Sequence, residues 1–279
     1  MRLPLFIFLN SIYYMEKLKL LREKSGAGMV DCQKALKEAD GDIDKAMEIL
    51  RKKGIAKAAK RSDREAGEGV IKVALSGDTK TGYIMEINAE TDFVVKNEKF
   101  LAFAEKTMKL VMEREPKDLA ELLALNFDGG TVKDNLDALS GVIGEKLDIK
   151  RYEILKSAGT VAAYSHLAGK IGVLVALDKE GQSDIAYDIA MQIAAANPRF
   201  IKPEDVPAAE LEKEKEIYKA QLAKEGKPAE MIEKIIAGKL NKFYEEICLT
   251  KQEFIKDDEK KVSDILGEVK VEKFIRYSL

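Results

Sequence analysis

The chain has 279 residues, 46% of them apolar and 34% charged, with a net charge of −2, two cysteines and one histidine. That length is too great for one small core and implies two or more subdomains. Interspersed acids and bases argue against a basic nucleic-acid face. One histidine and the distant Cys32 and Cys248 leave no zinc-ligand set, and point to a reduced, cytoplasmic protein.

The first stretch, "MRLPLFIFLNSIYY", is mostly apolar over residues 3–9. It is too short to span a bilayer and lacks the small-residue cleavage site of a signal peptide. Residues 1–14 are expected to be a peripheral extension, with a soluble amphipathic helix opening at Met15. Residues 15–54 read as three short helices. Leu18 and Leu21 share a face of the first, and Ala35 and Leu36 a face of the second. In the third, Ile43, Ala46, Met47 and Leu50 follow i, i+3, i+4, i+7, with Asp42 or Asp44 as the cap and Gly54 as the C-terminal stop. Between the first two helices, "SGAGMV" presents Met29 and Val30, for which a core position and a sticky contact are equally open. Residues 55–69 read as a partly helical linker. Its Lys57, Lys60 and Arg61 lack the interleaved aromatics of a nucleic-acid groove.

The centre carries an internal repeat. "GVIKVALSGDTKTGYIMEIN" (69–88) aligns without a gap on "GTVAAYSHLAGKIGVLVALD" (159–178), matching Gly69 with Gly159, Lys80 with Lys170 and Gly82 with Gly172. Each copy reads as strand, turn, strand, followed by an amphipathic helix. In the first that helix carries Phe100, Phe103, Ala104, Met108 and Val111; in the second, Ile185, Ile189, Ile193 and Ala194. Another helix falls within 131–150. Residues 207–247 read as helix, Gly-Lys-Pro turn, helix, with Gly226 at a C′ position and Pro228 early in the second helix. Their thin apolar seam, Leu211, Tyr218 and Leu222 against Ile232, Ile235, Ile236, Leu240 and Phe243, suits a projecting antiparallel hairpin. "CLTKQEFI" and "EKFIRYSL" read as closing strands. The fold class is therefore α+β.

Little chemistry is on offer. His166 and Ser165 are neighbours whose side chains diverge on a strand, there is no nucleophile elbow, and no glycine-rich phosphate loop follows a strand. The chain reads as a binding protein and not an enzyme, with no catalytic residue, cofactor or metal of its own. One stretch is odd: "NAETDFVVKNEKF" places Asp92 and Phe93 at a strand-to-helix corner where turn chemistry would suffice. The residues by themselves favour a Phe93 packed in its own module and an Asp92 that caps a helix.

Three stretches together resemble the elongation factor Ts family: "LREKSGAGMVDCQKALKEADGDIDKAMEILRKKG", "NAETDFVVKNEKF" and "HLAGKIGVLVAL", with "ANPRFIKPEDVP" also similar. The resemblance covers residues 15–279. It implies a ubiquitin-associated-like helical domain (15–54), a linker (55–69), a two-part α+β core (70–155 and 156–279) and a coiled-coil hairpin (207–247) that projects from it. The partner it implies is the GTPase elongation factor Tu, and the activity is release of that protein's GDP during translation. In the family the Thr-Asp-Phe-Val motif displaces the partner's magnesium ion, and here it is Thr91, Asp92, Phe93 and Val94. The resemblance also places Met29, Val30 and His166 at the interface. It thus reverses the local reading of Phe93. The alternative is a helical adaptor or scaffold with a protruding coiled coil and no exchange activity.

Overall fold

A computed structural model describes the backbone from Pro4 to Leu279 apart from residues 226–227, and side chains other than those of residues 1–12, 226, 227, 229 and 230. The chain divides into two compact units, one of residues 1–70 and 86–152, the other of residues 71–85 and 153–279.

In the first unit α1 (Pro4–Ser25), α2 (Met29–Glu38) and α3 (Ile43–Ala59) close around Leu18, Leu21, Cys32, Ala35, Leu36 and Ala46, all buried. Asp42 caps α3, accepting from the amides of Asp44 and Lys45 at 2.9 and 3.0 Å. Two expectations are corrected. The first helix does not open at Met15 but runs through it from Pro4, because proline is tolerated in a first helical turn and no breaker follows. Whether residues 1–14 are peripheral rests largely on side chains outside the described residues. Nor does Gly54 end the third helix; it lies buried inside α3, which continues to Ala59.

The reason for Gly54 comes from further along the chain. After β1 (Glu68–Leu75) and β2 (Thr81–Ala89) come α4 (Asp92–Val95), α5 (Glu98–Arg114), α6 (Leu119–Ala124), β3 (Asn126–Phe127), β4 (Gly130–Thr131), α7 (Val132–Ile143) and β5 (Leu147–Lys156). A β-carbon on Gly54 would lie 3.2 Å from the Cα of Ala138 in α7, and one on Gly141 only 2.4 Å from the Cα of Gly54. Two glycines thus let α3 and α7 touch backbone to backbone. Arg51 fastens the same crossing, donating to the Gly129 carbonyl at 2.7 Å and to Asp134 at 3.2 Å. The five apolar positions that spacing marks on α5 are all buried.

The second half continues with β6 (Thr160–His166), β7 (Ile171–Leu177), α8 (Ser183–Ala196), α9 (Ala208–Lys224), α10 (Ala229–Ile247), β8 (Glu253–Phe254), β9 (Asp257–Lys261), α11 (Val262–Leu266) and β10 (Val271–Ser278). The three-stranded sheets have the orders β1-β2-β5 and β10-β7-β6. The repeat is therefore longer than its hairpin. Hairpin, helix, short two-stranded ladder, helix and closing strand recur in the same order, with α9 and α10 inserted in the second pass.

Within the second unit the matched glycines have matched surroundings. A β-carbon on Gly82 would meet Val161 at 2.8 Å and Leu174 at 3.0 Å, while one on Gly172 would meet Ile71 at 2.4 Å and Ile84 at 3.3 Å. In the repeat Ile71 corresponds to Val161 and Ile84 to Leu174. Each hairpin lays its branched side chains over the other's glycine, in a cluster with Leu155, Ala176, Ile275 and Tyr277.

The inserted helices bury few side chains fully, Leu222 and Ile236 among them. Gly226 lies outside the described residues, and Pro228 stands just ahead of α10 instead of inside it. The segment "CLTKQEFI" is also corrected. Leu249–Lys251 is a 3₁₀ turn, closed by the amides of Lys251 and Gln252 on the carbonyls of Cys248 and Leu249 at 2.9 and 3.2 Å, and only Glu253 and Phe254 pair as a strand.

Glycine substitutions should separate packing from propensity. Gly141→Ala should destabilise the protein by about 1–3 kcal/mol, because overpacking against backbone outweighs the helical gain. Gly238→Ala, in α10 with nothing near its missing β-carbon, should stabilise it by about 0.5–1 kcal/mol. Urea unfolding of both variants checks the opposite signs.

Candidate functional site

The corner after β2 is built from short-range constraints. Ile87, Asn88 and Ala89 end the strand buried, and Thr91, extended at φ −131° and ψ 157°, turns the chain into α4. A four-residue helix does not sustain itself in water, so its neighbours must hold it. At its end the Asn97 amide donates to the Val94 carbonyl at 2.9 Å, and the Asn97 side chain caps α5 by accepting from the Lys99 amide at 2.9 Å. Val94 is buried and anchors the turn in the core. Successive residues of a helix are rotated by about 100°. With Val94 inside, Phe93 is left outside at 80% exposure, more than any other large apolar side chain among the described residues.

Asp92 and Thr91 differ in the same way. Asp92 is exposed and accepts from Lys96 Nζ at 2.8 Å, a surface pair that solvent screens. Thr91 makes no cap. Its amide and hydroxyl both donate to the Glu145 carboxylate, at 3.0 and 2.8 Å. The preceding Glu90 accepts from the Lys146 amide at 2.6 Å and from Arg64 at 3.3 Å. Those contacts, the Lys146 amide first, hold the Glu90 carboxyl below its ordinary range. The motif thus has two inward residues, Thr91 and Val94, and two outward ones, Asp92 and Phe93.

The other sequence-marked residues belong to other elements. Met29 and Val30 open α2 and are 44% and 62% exposed, so the question left open by their sequence resolves toward the surface. His166 ends β6 in the second unit, exposed, with its Nδ1 3.0 Å from the Tyr164 hydroxyl. Its neighbour Leu167 is 61% exposed and, like Ala168, has positive φ. Met29, Val30 and Leu167 are thus exposed apolar side chains on a chain that is 34% charged.

Residues 90–279 match the family model described as "Elongation factor TS". The chain is 47% identical over 279 residues to elongation factor Ts of a Nitratiruptor species, covering 94% of this chain and 92% of that protein. It is 46% identical over 282 residues to the Nautilia profundicola protein of the same name, covering 94% and 91%. For that of Clostridium perfringens the figures are 44% over 274 residues, 93% and 90%. The chain belongs to the elongation factor Ts family. With that family comes a role in translation elongation. Among the described residues no helix is long and apolar enough to cross a membrane.

Sequence reading missed the residues that hold the corner of this elongation factor Ts relative. Glu145, Glu90 and Lys146 carry no local signal, since carboxylates are abundant and the contacts join residues 54 to 56 positions apart. It also missed Glu86 on β2, a fully buried carboxylate. Burial pushes its pKa up, but Lys150 at 2.9 Å, Arg151 at 2.7 Å and Asn88 outweigh that and leave it lowered.

Two outcomes follow for the free protein. Phe93→Ala should leave stability within about 0.5 kcal/mol of the parent, whereas Val94→Ala should cost about 1.5–3 kcal/mol, measured by urea unfolding. Acid should weaken the fold through the same region. Glu86 and Glu90 titrate below their ordinary 4.5, so their contribution is complete above that pH and is lost as pH falls through the folded values. Glu90→Gln should flatten the fall in urea midpoint as pH drops below the ordinary 4.5.

Proposed function

We propose that this chain is the guanine nucleotide exchange factor for elongation factor Tu in the cytoplasm, releasing GDP without binding nucleotide itself and without covalent chemistry. The observation that carries this reading is Phe93, held outside its own core on a turn whose neighbours are tied down. An aromatic ring so placed can enter a pocket of another protein and bury a large area at little conformational cost. Asp92 beside it is a surface carboxylate whose pairing with Lys96 is weak enough to be given up for the partner's magnesium site. There it would compete for donors and repel the oxygen ligands of the ion. Loss of that ion weakens the hold on the nucleotide phosphates. Met29 and Val30 on α2, and His166 at the end of β6, supply further contact with the same GTPase.

The thermodynamics are those of linkage. If this chain favours the nucleotide-free partner, nucleotide weakens the partner's hold on this chain by the same factor. Each tenfold loss of GDP affinity requires about 1.4 kcal/mol of differential binding. One aromatic hot spot of about 2–4 kcal/mol supplies one to three such decades.

Stopped-flow release of labelled GDP from elongation factor Tu tests the reading. The parent chain should accelerate release, and Phe93→Ala should slow catalysed release by roughly tenfold or more while keeping its melting curve. Asp92→Ala should slow release with less effect on complex formation, because its role is at the ion and not in buried area. A Phe93→Ala variant that exchanges at the parent rate would overturn the wedge.

A further inference from the structure

We propose that Glu145 is a positioning residue for exchange: its carboxylate holds the Phe93 turn in the orientation the partner meets. The proposal rests on the exchange reading above and adds to it the part of the chain that makes the turn rigid.

The geometry is a reciprocal clasp between two loop segments. Glu145 takes the Thr91 amide at 3.0 Å and the Thr91 hydroxyl at 2.8 Å, while Glu90 takes the Lys146 amide at 2.6 Å. Each segment thus offers a carboxylate to the other's backbone. The Thr91 hydroxyl stands at the N-cap position of α4 and makes no cap bond; its proton goes to Glu145, so what holds this end of the short helix is the tie to a distant loop.

Glu145 is itself fixed from behind. The hydroxyl of buried Ser140 donates to the Glu145 carbonyl at 2.5 Å. Gly144, left-handed at φ 94°, ends α7 by donating to the Ser140 carbonyl at 2.8 Å. The carboxylate therefore projects from a pinned backbone, and rigidity passes from α7 through Glu145 and Thr91 to the turn. Val94 and Asn97 hold the far end of α4. With both ends tied, Phe93 has no need to be ordered at the moment of contact, and preorganisation of this kind lowers the cost of engagement.

The test is a double-mutant cycle read by catalysed GDP release from elongation factor Tu, with kcat and KM measured separately. Glu145→Ala should lower kcat by roughly tenfold and leave KM within about twofold, because the other contact residues are untouched. Glu145→Gln should retain most activity, since its oxygen can accept from the Thr91 amide and its amide can donate to the hydroxyl. Thr91→Val, which removes the hydroxyl arm alone, should fall between parent and Glu145→Ala, and gives a second series if the alanine variant folds poorly. Amide hydrogen exchange should quicken at Thr91 and Lys146, the two amides the clasp holds, but not along α5.

The decisive arm is the background. If Glu145 acts through Phe93, Glu145→Ala should add nothing to Phe93→Ala. An equal loss in both backgrounds, or parent-like kcat in Glu145→Ala with protected corner amides, overturns the proposal. If Phe93→Ala alone is parent-like, the exchange reading itself fails, and that outcome is distinct from a failure of the clasp.

Discussion

A ring cannot both fill its own core and stand in solvent, and the one-turn helix at residues 92–95 settles which Phe93 does. Two apolar residues stand side by side there, and helical geometry turns them to different sides. Burying Val94 commits Phe93 to solvent. The cost of leaving a phenyl ring in water, about 1.5–3 kcal/mol in burial forgone, has to be met by the rest of the unit. The buried stripe of α5 immediately after the turn meets it, starting with Phe100, which is wholly buried. The proposed functional residue is thus exposed next to one of the most completely buried aromatics, and each depends on the register of the other.

The body that carries this corner is made largely of one pattern used twice. The reciprocal packing of Gly82 and Gly172 requires both hairpins to keep a bare position at the same place, because a β-carbon at either would enter the other's branched side chains. Duplication explains why the two passes share strand order and the small β-ladder ahead of the last helix. The same role falls to Asp134 and Asp264, which accept from the amides of Thr131 and Lys261 at 3.0 and 2.9 Å. What differs between the passes is what each has added: the α9–α10 hairpin in the second, and in the first the tied turn that bears Phe93.

Much of this was legible from residue order. The amphipathic stripes of α5 and α8, the two hairpins and an aspartate cap on α3, a role that falls to Asp42 and not to Asp44, are local patterns, and they fold as local patterns do. Gly54 was misleading because a glycine after a basic helical end looks like a stop. Only Gly141 and Ala138, distant in sequence, make it a packing residue. The corner was visible as an anomaly, but the direction of Phe93 was not. Residue types alone favoured the core, and the choice depends on which of two adjacent apolar side chains faces in. Glu145 was invisible for a simpler reason: nothing distinguishes one carboxylate among many until the fold brings it to Thr91.

On the exchange reading, the surface must let a partner be both gripped and released. Met29, Val30, Phe93 and Leu167 are exposed on a chain that is 34% charged. On that reading each exposed apolar residue is a contact that has to be given up when nucleotide dissolves the complex by linkage. On the exchange reading, the tie from Glu145 and the exposure of Phe93 are two sides of one requirement. The contact must be strong enough to weaken GDP binding, and it draws that strength from a turn already held in place instead of from more buried area.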